Sequence, residues 1–177
     1  MNIPNALTTL RFLLIGVFLY FFWGPHNYLA ACIVYVVAGI TDLLDGWIAR
    51  KFDMITDIGK LIDPLADKLM LIAALVSFWL DGRIPLAILA IVVIKELLTV
   101  IGGLYLYRKK IVVYADWIGK IATAAFTVGV ILTFFSDKVY PLNLVFLYIA
   151  VALAVAALVY YAIRNFFKYL QDRRKAQ

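Results

Sequence analysis

The chain has 177 residues, 66% of them hydrophobic and only 16% charged, with a formal net charge of +6. An ordinary soluble domain is nearer half apolar and a quarter charged, and a globule this small cannot hide so much apolar side chain. A water-soluble enzyme and a disordered chain are excluded, as is a disulfide scaffold because there is one cysteine. The expectation is an all-α polytopic membrane protein forming a single domain over residues 1–177.

A helix needs about 20 apolar residues to cross a bilayer core. In chain order, apolar stretches run over Leu7–Trp23, Tyr28–Thr41, Leu61–Leu80, Ile84–Tyr107, Trp117–Phe135 and Leu142–Ile163. They are continuous rather than alternating, so they predict six transmembrane helices and not a barrel. Turn chemistry fills the breaks: Gly24-Pro25-His26-Asn27, Asp81-Gly82-Arg83 and Ser136-Asp137. Pro85 and Pro141 stand near segment starts, where a missing N–H is tolerated. Neither an internal repeat nor a low-complexity tract is visible.

Orientation follows from the 17 basic residues, of which only Arg83 and Lys138 fall in the connections after the first, third and fifth segments. The opposite side and its flanking helix ends carry the rest, which places both termini in the cytoplasm. That face would meet anionic membrane lipids. Nucleic acid is not a fitting partner, because no soluble basic module presents the charge. A multi-pass protein of a bacterial cytoplasmic (inner) membrane, with its site facing the cytoplasm, is the natural expectation.

The chemistry concentrates where the second segment ends and the third begins. Six of the eleven acidic residues lie between Asp42 and Asp67. Asp42, Asp45 and Ala49 share one helical face, and Asp63 and Asp67 share another, four residues apart. A helical hairpin brings the two faces together. Four carboxylates so close cannot all ionise unless a cation compensates them. Oxygen-only ligands favour Mg²⁺, Mn²⁺ or Ca²⁺ over zinc, and two ions would suit four aspartates and a pyrophosphate. Gly46 and Gly59 remove Cβ atoms where a ligand would approach. Asp42 follows only about 14 apolar residues, too few to span a bilayer, and so lies at headgroup depth.

Asp42-x2-Asp45-Gly46-x2-Ala49-Arg50-x8-Gly59-x3-Asp63-x3-Asp67 resembles the signature of the CDP-alcohol phosphatidyltransferase family. Eight residues at fixed spacing make this a highly specific likeness. It extends over most of the chain: six segments, the Asn5-x2-Thr8-x2-Arg11 start, and Leu61-Ile62-Asp63-Pro64-Leu65-Ala66-Asp67-Lys68. The start and that last stretch are most similar to the branch that makes phosphatidylglycerophosphate. The resemblance implies a membrane homodimer with a cytoplasm-facing polar cavity. Divalent metal would be bound by Asp42, Asp45 and Asp63, with Asp67 as general base and further metal contact. Two Mg²⁺ (or Mn²⁺) ions are implied as cofactors. CDP-diacylglycerol would be held by Asn5, Thr8, Asp42, Gly46, Ala49, Arg50 and Gly59. A polar alcohol would attack its β-phosphorus, and CMP would leave.

The acceptor is where this chain departs from that branch. The branch usually carries an Arg-Glu pair in the fourth segment, another Arg about eight residues on, and Gly-Lys-x-Lys-Thr in the fifth. Here these read Lys95-Glu96, Gly103 and Gly119-Lys120-Ile121-Ala122-Thr123. A phosphomonoester such as glycerol 3-phosphate favours arginine for its bidentate fork. Lys95, Arg108, Lys109, Lys110 and Lys120 could still hold it. Phosphatidylglycerol, a phosphodiester, would need fewer charges and would make the chain a cardiolipin synthase. Lys95-Glu96 equally reads as a structural ion pair. An ion-coupled transporter is the remote alternative for intramembrane aspartates, but it predicts a repeat that is absent.

The remaining features have plainer readings. Trp23, Tyr28, Trp79, Tyr140, Tyr160 and Tyr161 sit at segment ends as interfacial belt residues. Cys32 reads as a small buried hydrophobe and His26 has no role. Arg164 to Lys175 is a basic, lipid-anchoring tail. Ala150 with Ala154, and Ala152 with Ala156, would allow close helix packing.

Overall fold

The computed structural model describes the backbone of residues 3–51, 59–108 and 117–175. Within them it describes the side chains of residues 9–42, 44, 51, 68–102, 121–161, 163 and 164. The elements are α1 (Ile3–Trp23), α2 (Tyr28–Lys51), α3 (Gly59–Leu80), α4 (Leu86–Arg108), α5 (Trp117–Phe134), α6 (Ser136–Val139) and α7 (Leu142–Lys175). The described residues hold no strand. Six long helices therefore match the six apolar segments, but several outrun them. α1 begins before Leu7, α2 continues past Thr41, and α7 continues past Ile163 through the basic tail. Apolarity marks what a helix must bury or show to lipid, whereas the backbone hydrogen-bond chain runs on through polar residues that also favour helix. The short α6 replaces an expected turn, with the amides of Lys138 and Val139 donating to the Phe135 carbonyl at 2.9 and 3.2 Å.

The chain forms two compact units, residues 1–84 and 85–177. In the first, α1 packs on both α2 and α3, and α2 packs on α3. The α1–α2 connection is tight: the Gly24 amide donates to the Tyr20 carbonyl at 2.9 Å and the Asn27 amide to the Phe21 carbonyl at 2.9 Å. A Cβ on Gly24 would stand 2.8 Å from the Tyr20 carbonyl oxygen, so glycine is required there. His26 takes a left-handed φ of 50°, and this backbone service is what it contributes. The Asn27 side-chain oxygen accepts the Ala30 amide at 3.0 Å and caps α2. At the end of α3 the amides of Gly82 and Arg83 reach back to Trp79 and Phe78 at 3.0 and 2.8 Å, with Gly82 at φ 73°. This is a Schellman ending, for which glycine is the favoured residue.

Aromatic packing dominates this end of the unit. Phe22 is fully buried, with ring centroids 5.7 Å from Phe18, 5.3 Å from Trp23, 5.2 Å from Tyr28 and 5.7 Å from Phe78. Most of these pairs are edge-on, the arrangement that the ring quadrupole favours. Polar contacts tie the same helices. The Trp23 indole donates to Ser77 Oγ at 3.2 Å, and Tyr28 Oη donates to Asp81 Oδ2 at 3.2 Å. Arg83 Nε donates to that same oxygen at 2.5 Å while its guanidinium lies 3.9 Å over the Tyr28 ring. Trp23 and Tyr28 thus do more than decorate a membrane interface. Cys32 is buried, as a small hydrophobe should be.

In the second unit α7 packs along α5 and against α4. The face of α7 turned inward carries Leu147, Ala150, Val151 and Ala157, all buried, whereas Ala152 and Ala156 are exposed. Of the two alanine pairs, the one containing Ala150 lies on the packing face. Gly129 of α5 allows the closest approach: a Cβ there would lie 2.9 Å from Leu147 Cδ2 and 3.2 Å from the Leu147 amide nitrogen. Pro85 and Pro141 stand just before α4 and α7, and their carbonyls accept the Ile88 and Val145 amides at 3.1 Å each.

Much of the surface of the described residues is apolar. Leu13, Tyr20, Leu29, Ile94, Leu97 and Ile101 are each more than half exposed. Among the described residues one stretch, Leu142–Tyr161, is alone long and apolar enough to cross a membrane. Shorter apolar helical stretches run over Thr9–Trp23, Tyr28–Asp42, Lys68–Leu80 and Ile121–Phe134. An all-helical chain with such a surface is consistent with a membrane protein.

Candidate active site

Helix geometry fixes the level at which each aspartate stands in the first unit. An α-helix rises about 1.5 Å per residue, so Arg11 lies about 18 Å along α1 from Trp23 and Asp42 about 21 Å along α2 from Tyr28. Across a short turn these two positions should meet, and they do. Arg11 Nη2 lies 3.0 Å from Asp42 Oδ1. The Arg11 side chain is 1% exposed and that of Asp42 is 36% exposed. A guanidinium is thus buried in the helix bundle while its carboxylate partner faces partly outward. A buried charge is costly unless paired, so this contact helps to make Arg11 tolerable there.

The same ruler extends to α3. Tyr28 and Asp81 are hydrogen-bonded at one end of the α2–α3 contact. Fourteen residues along α2 from Tyr28 is Asp42, and fourteen back along α3 from Asp81 is Asp67, each about 21 Å away. Asp45 and Asp63 come one turn farther on. By rise alone, Asp42 is expected opposite Asp67, and Asp45 opposite Asp63, along two helices that pack together. The side chains of Asp45, Asp63 and Asp67 lie outside the described residues, as do those of Asn5, Thr8, Gly46, Ala49, Arg50 and Gly59, whose backbones belong to α1, α2 and α3.

The basic residues considered for an acceptor are divided along the second unit. Lys95 stands near the middle of α4, and its Nζ is paired with the carboxylate of its neighbour Glu96, which is 5% exposed. Arg108 ends α4 about 20 Å farther along the helix. Lys120 is in the first turn of α5. The side chains of Arg108 and Lys120 are outside the described residues, and Lys109 and Lys110 are so entirely.

The pattern of charges alone did not reveal the Arg11–Asp42 pair. Arg11 was legible as part of the Asn5-x2-Thr8-x2-Arg11 spacing and as a basic flank. Its partner is on the next helix, and the available signal was that both residues stand a similar number of positions from one turn.

The donor set suits a hard divalent cation. It is carboxylate oxygen throughout, and the Asp42 carboxylate is partly exposed instead of sealed in the core. Among the described residues there is no group of three or more His, Cys, Asp or Glu, because only Asp42 of the four aspartates is among them.

An apolar helical chain whose paired aspartates stand level on adjoining helices is the kind of protein that the sequence signature implies. The chain matches the family described as CDP-alcohol phosphatidyltransferase over residues 1–156, and it belongs to that family. The match crosses both units and ends within α7. Three bacterial relatives share the name CDP-diacylglycerol–glycerol-3-phosphate 3-phosphatidyltransferase. That of Pseudomonas fluorescens is 50% identical over 78 residues, which is 43% of this chain and 40% of its own. That of Bacillus subtilis is 34% identical over 143 residues, 73% of this chain and 74% of its own. That of Haemophilus influenzae is 33% identical over 176 residues, 90% of this chain and 91% of its own. The chain therefore spans four-tenths of the first relative's length and nine-tenths of the last.

Proposed function

We propose that this chain transfers the phosphatidyl group of CDP-diacylglycerol to glycerol 3-phosphate, giving phosphatidylglycerophosphate and CMP. The observation that carries this reading is the alignment along nine-tenths of both chains with the Haemophilus influenzae relative of that name, on top of family membership. Asp42, Asp45 and Asp63 would hold divalent cations, two Mg²⁺ or Mn²⁺ ions, with Asp67 also in reach. Bound there, the ions would neutralise the pyrophosphate and stabilise charge on the attacking and leaving oxygens. Asn5, Thr8, Gly46, Ala49, Arg50 and Gly59 would take the CDP portion.

Asp67 is the acceptor for the proton of the attacking hydroxyl. As that proton departs, the hydroxyl oxygen bonds to the β-phosphorus, which carries the diacylglycerol. The bond from that phosphorus to the bridging oxygen breaks, and its electron pair leaves with CMP. Arg108, Lys109, Lys110 and Lys120 are the groups assigned to the acceptor's phosphate. The Lys95–Glu96 contact and its distance along α4 support the structural ion-pair reading for Lys95.

The topology that suits this chemistry has six spans, both termini and the carboxylate end in the cytoplasm, and the substrate's headgroup at the depth of Asp42. We assign the chain to a bacterial cytoplasmic membrane and expect a homodimer. α7 runs for 34 residues, about 51 Å, against a hydrocarbon core of about 30 Å. Its basic end would therefore project beyond the core, where anionic lipid headgroups lie. Arg164 sits 5.7 and 5.5 Å over the rings of Tyr160 and Tyr161, where a belt would give way to headgroups.

The test is CMP release by the purified protein with CDP-diacylglycerol and Mg²⁺, offering glycerol 3-phosphate or phosphatidylglycerol separately. Turnover with glycerol 3-phosphate is expected. Turnover only with phosphatidylglycerol would mean that the departures at Lys95, Gly103 and Ala122 report the acceptor, and that the product is cardiolipin.

A further inference from the structure

We propose that Arg11 is a positioning residue for Asp42, and that it sets the preference of the site for Mg²⁺ over Ca²⁺. This rests on the reading of Asp42 as a cation ligand. Arg11 Nη2 engages Asp42 Oδ1 at 3.0 Å, and the guanidinium is almost wholly buried, at 1% exposure, in the unit where α1 packs on α2 and α3. A guanidinium so enclosed cannot follow the carboxylate through large rotations. It therefore restricts the orientations that Asp42 can adopt.

Mg²⁺ and Ca²⁺ respond differently to such a restraint. Mg²⁺ demands near-ideal octahedral geometry at short distance, whereas Ca²⁺ accepts six to eight oxygens and takes carboxylates with one oxygen or both. A carboxylate with one oxygen committed to a fixed arginine suits the first and hinders the two-oxygen mode open to the second. A carboxylate without that restraint is better suited to the second. Groups that hold a metal's ligands in place commonly influence affinity by about 10- to 100-fold.

Removing Arg11 has a second effect of opposite sign. The guanidinium repels any nearby cation, so its loss raises divalent affinity in general. That term is the same for two ions of equal charge and cancels in the ratio of their affinities. The ratio therefore isolates positioning from charge.

The experiment uses the full chain, purified in detergent, as wild type, Arg11→Met and Arg11→Lys. Each is titrated with MgCl₂ or CaCl₂ in excess CDP, and the cation-dependent shift in thermal unfolding gives the two apparent affinities. The expected result is a Mg²⁺/Ca²⁺ affinity ratio lowered about tenfold in Arg11→Met, with Arg11→Lys in between because it keeps the charge without the fork. A ratio within twofold of wild type in folded Arg11→Met overturns the proposal and leaves the metal reading standing. If Arg11→Met does not fold, Arg11→Lys carries the same criterion. Absence of any cation-dependent shift in wild type overturns both the proposal and the assignment of Asp42 as a ligand.

Discussion

If the register of α2 against α3 is set at the turn end, then Asp81→Asn should be felt at both ends of the unit. Asp81 Oδ2 accepts from Tyr28 Oη at 3.2 Å and from Arg83 Nε at 2.5 Å, and the side chains of Arg83 and Asp81 are 9% and 21% exposed. Asparagine keeps an acceptor for Tyr28 but removes the charge that faces a mostly buried guanidinium. Hydrogen bonds to charged groups are worth about 1.5–3 kcal/mol against about 1 kcal/mol for neutral ones, so the loss should be about 2 kcal/mol. In a chain of this length 1 kcal/mol moves the unfolding midpoint by about 2–4 °C, which gives a fall of about 6 °C. Tyr28→Phe is the matched control. It removes a hydroxyl–carboxylate bond that is long at 3.2 Å, and hence weak for its kind, and keeps the ring beneath Arg83, for a cost of about 1 kcal/mol. Thermal unfolding of both variants in detergent, followed by tryptophan fluorescence, reads the ranking. CMP release measured well below either midpoint should fall in Asp81→Asn by up to about tenfold, since small misplacements of reacting groups are costly. A midpoint within 1 °C of wild type (~0.5 kcal/mol or less), or a larger loss in Tyr28→Phe, would refute the reasoning.

Other consequences are as specific. Asp67→Asn should leave liponucleotide binding largely intact while removing turnover, read by CMP release alongside binding calorimetry; normal release would end its role as proton acceptor. Asp42→Ala should weaken Mg²⁺-dependent CDP-diacylglycerol binding, and it should also destabilise the fold because it removes an ion-pair partner of the buried Arg11. Unchanged Mg²⁺-dependent binding by calorimetry would count against Asp42 as a ligand. Gly129→Ala gains up to about 1 kcal/mol in helix propensity but places a methyl 3.2 Å from a backbone nitrogen that cannot rotate away, so a net loss of about 1 kcal/mol is expected. Gly16→Ala meets nothing within 4 Å and should raise the midpoint instead.

Much of this was legible in the sequence, and the parts that were not share a cause. Each long apolar segment lies within a helix to within two residues at its ends, because periodicity and apolar run length are local properties. The aspartate pairs on α2 and α3 were legible for the same reason: residues at i, i+3 or i+4 share a helical face whatever the tertiary structure. Apolar run length alone does not mark a helix end where the chain turns polar without ceasing to be helical, as beyond Ile163. Pairings between distant residues were not legible as pairs. Tyr28 and Asp81 are 53 positions apart, and nothing near either residue announces the other. Tyr28 and Trp23 read as membrane-interface aromatics because an amphipathic ring at a segment end suits that role, but here their polar atoms also find partners inside the protein. Between the two alanine pairs of the last segment, only the packing of α7 on α5 decides.

The two ends of the first unit divide the work of folding and of chemistry. Near the α1–α2 turn lie Phe18, Phe22, Ala31, Ala74, Leu75 and Phe78, each fully buried, together with the interlocked side chains of Trp23, Ser77, Tyr28, Asp81 and Arg83. At the other end the largest buried side chain described is a charged one, Arg11. If the four carboxylates meet there as proposed, they would push the helices apart, and each would raise the cost of ionising its neighbours. A bundle relying on that end for cohesion would splay there. Cohesion comes instead from the aromatic end, about 20 Å away along rigid helices. On the proposed reading, the acids could then stand close at the other end without being needed for cohesion. Four carboxylates brought together there would need compensating positive charge, which is the physical reason to propose that divalent cations complete the site.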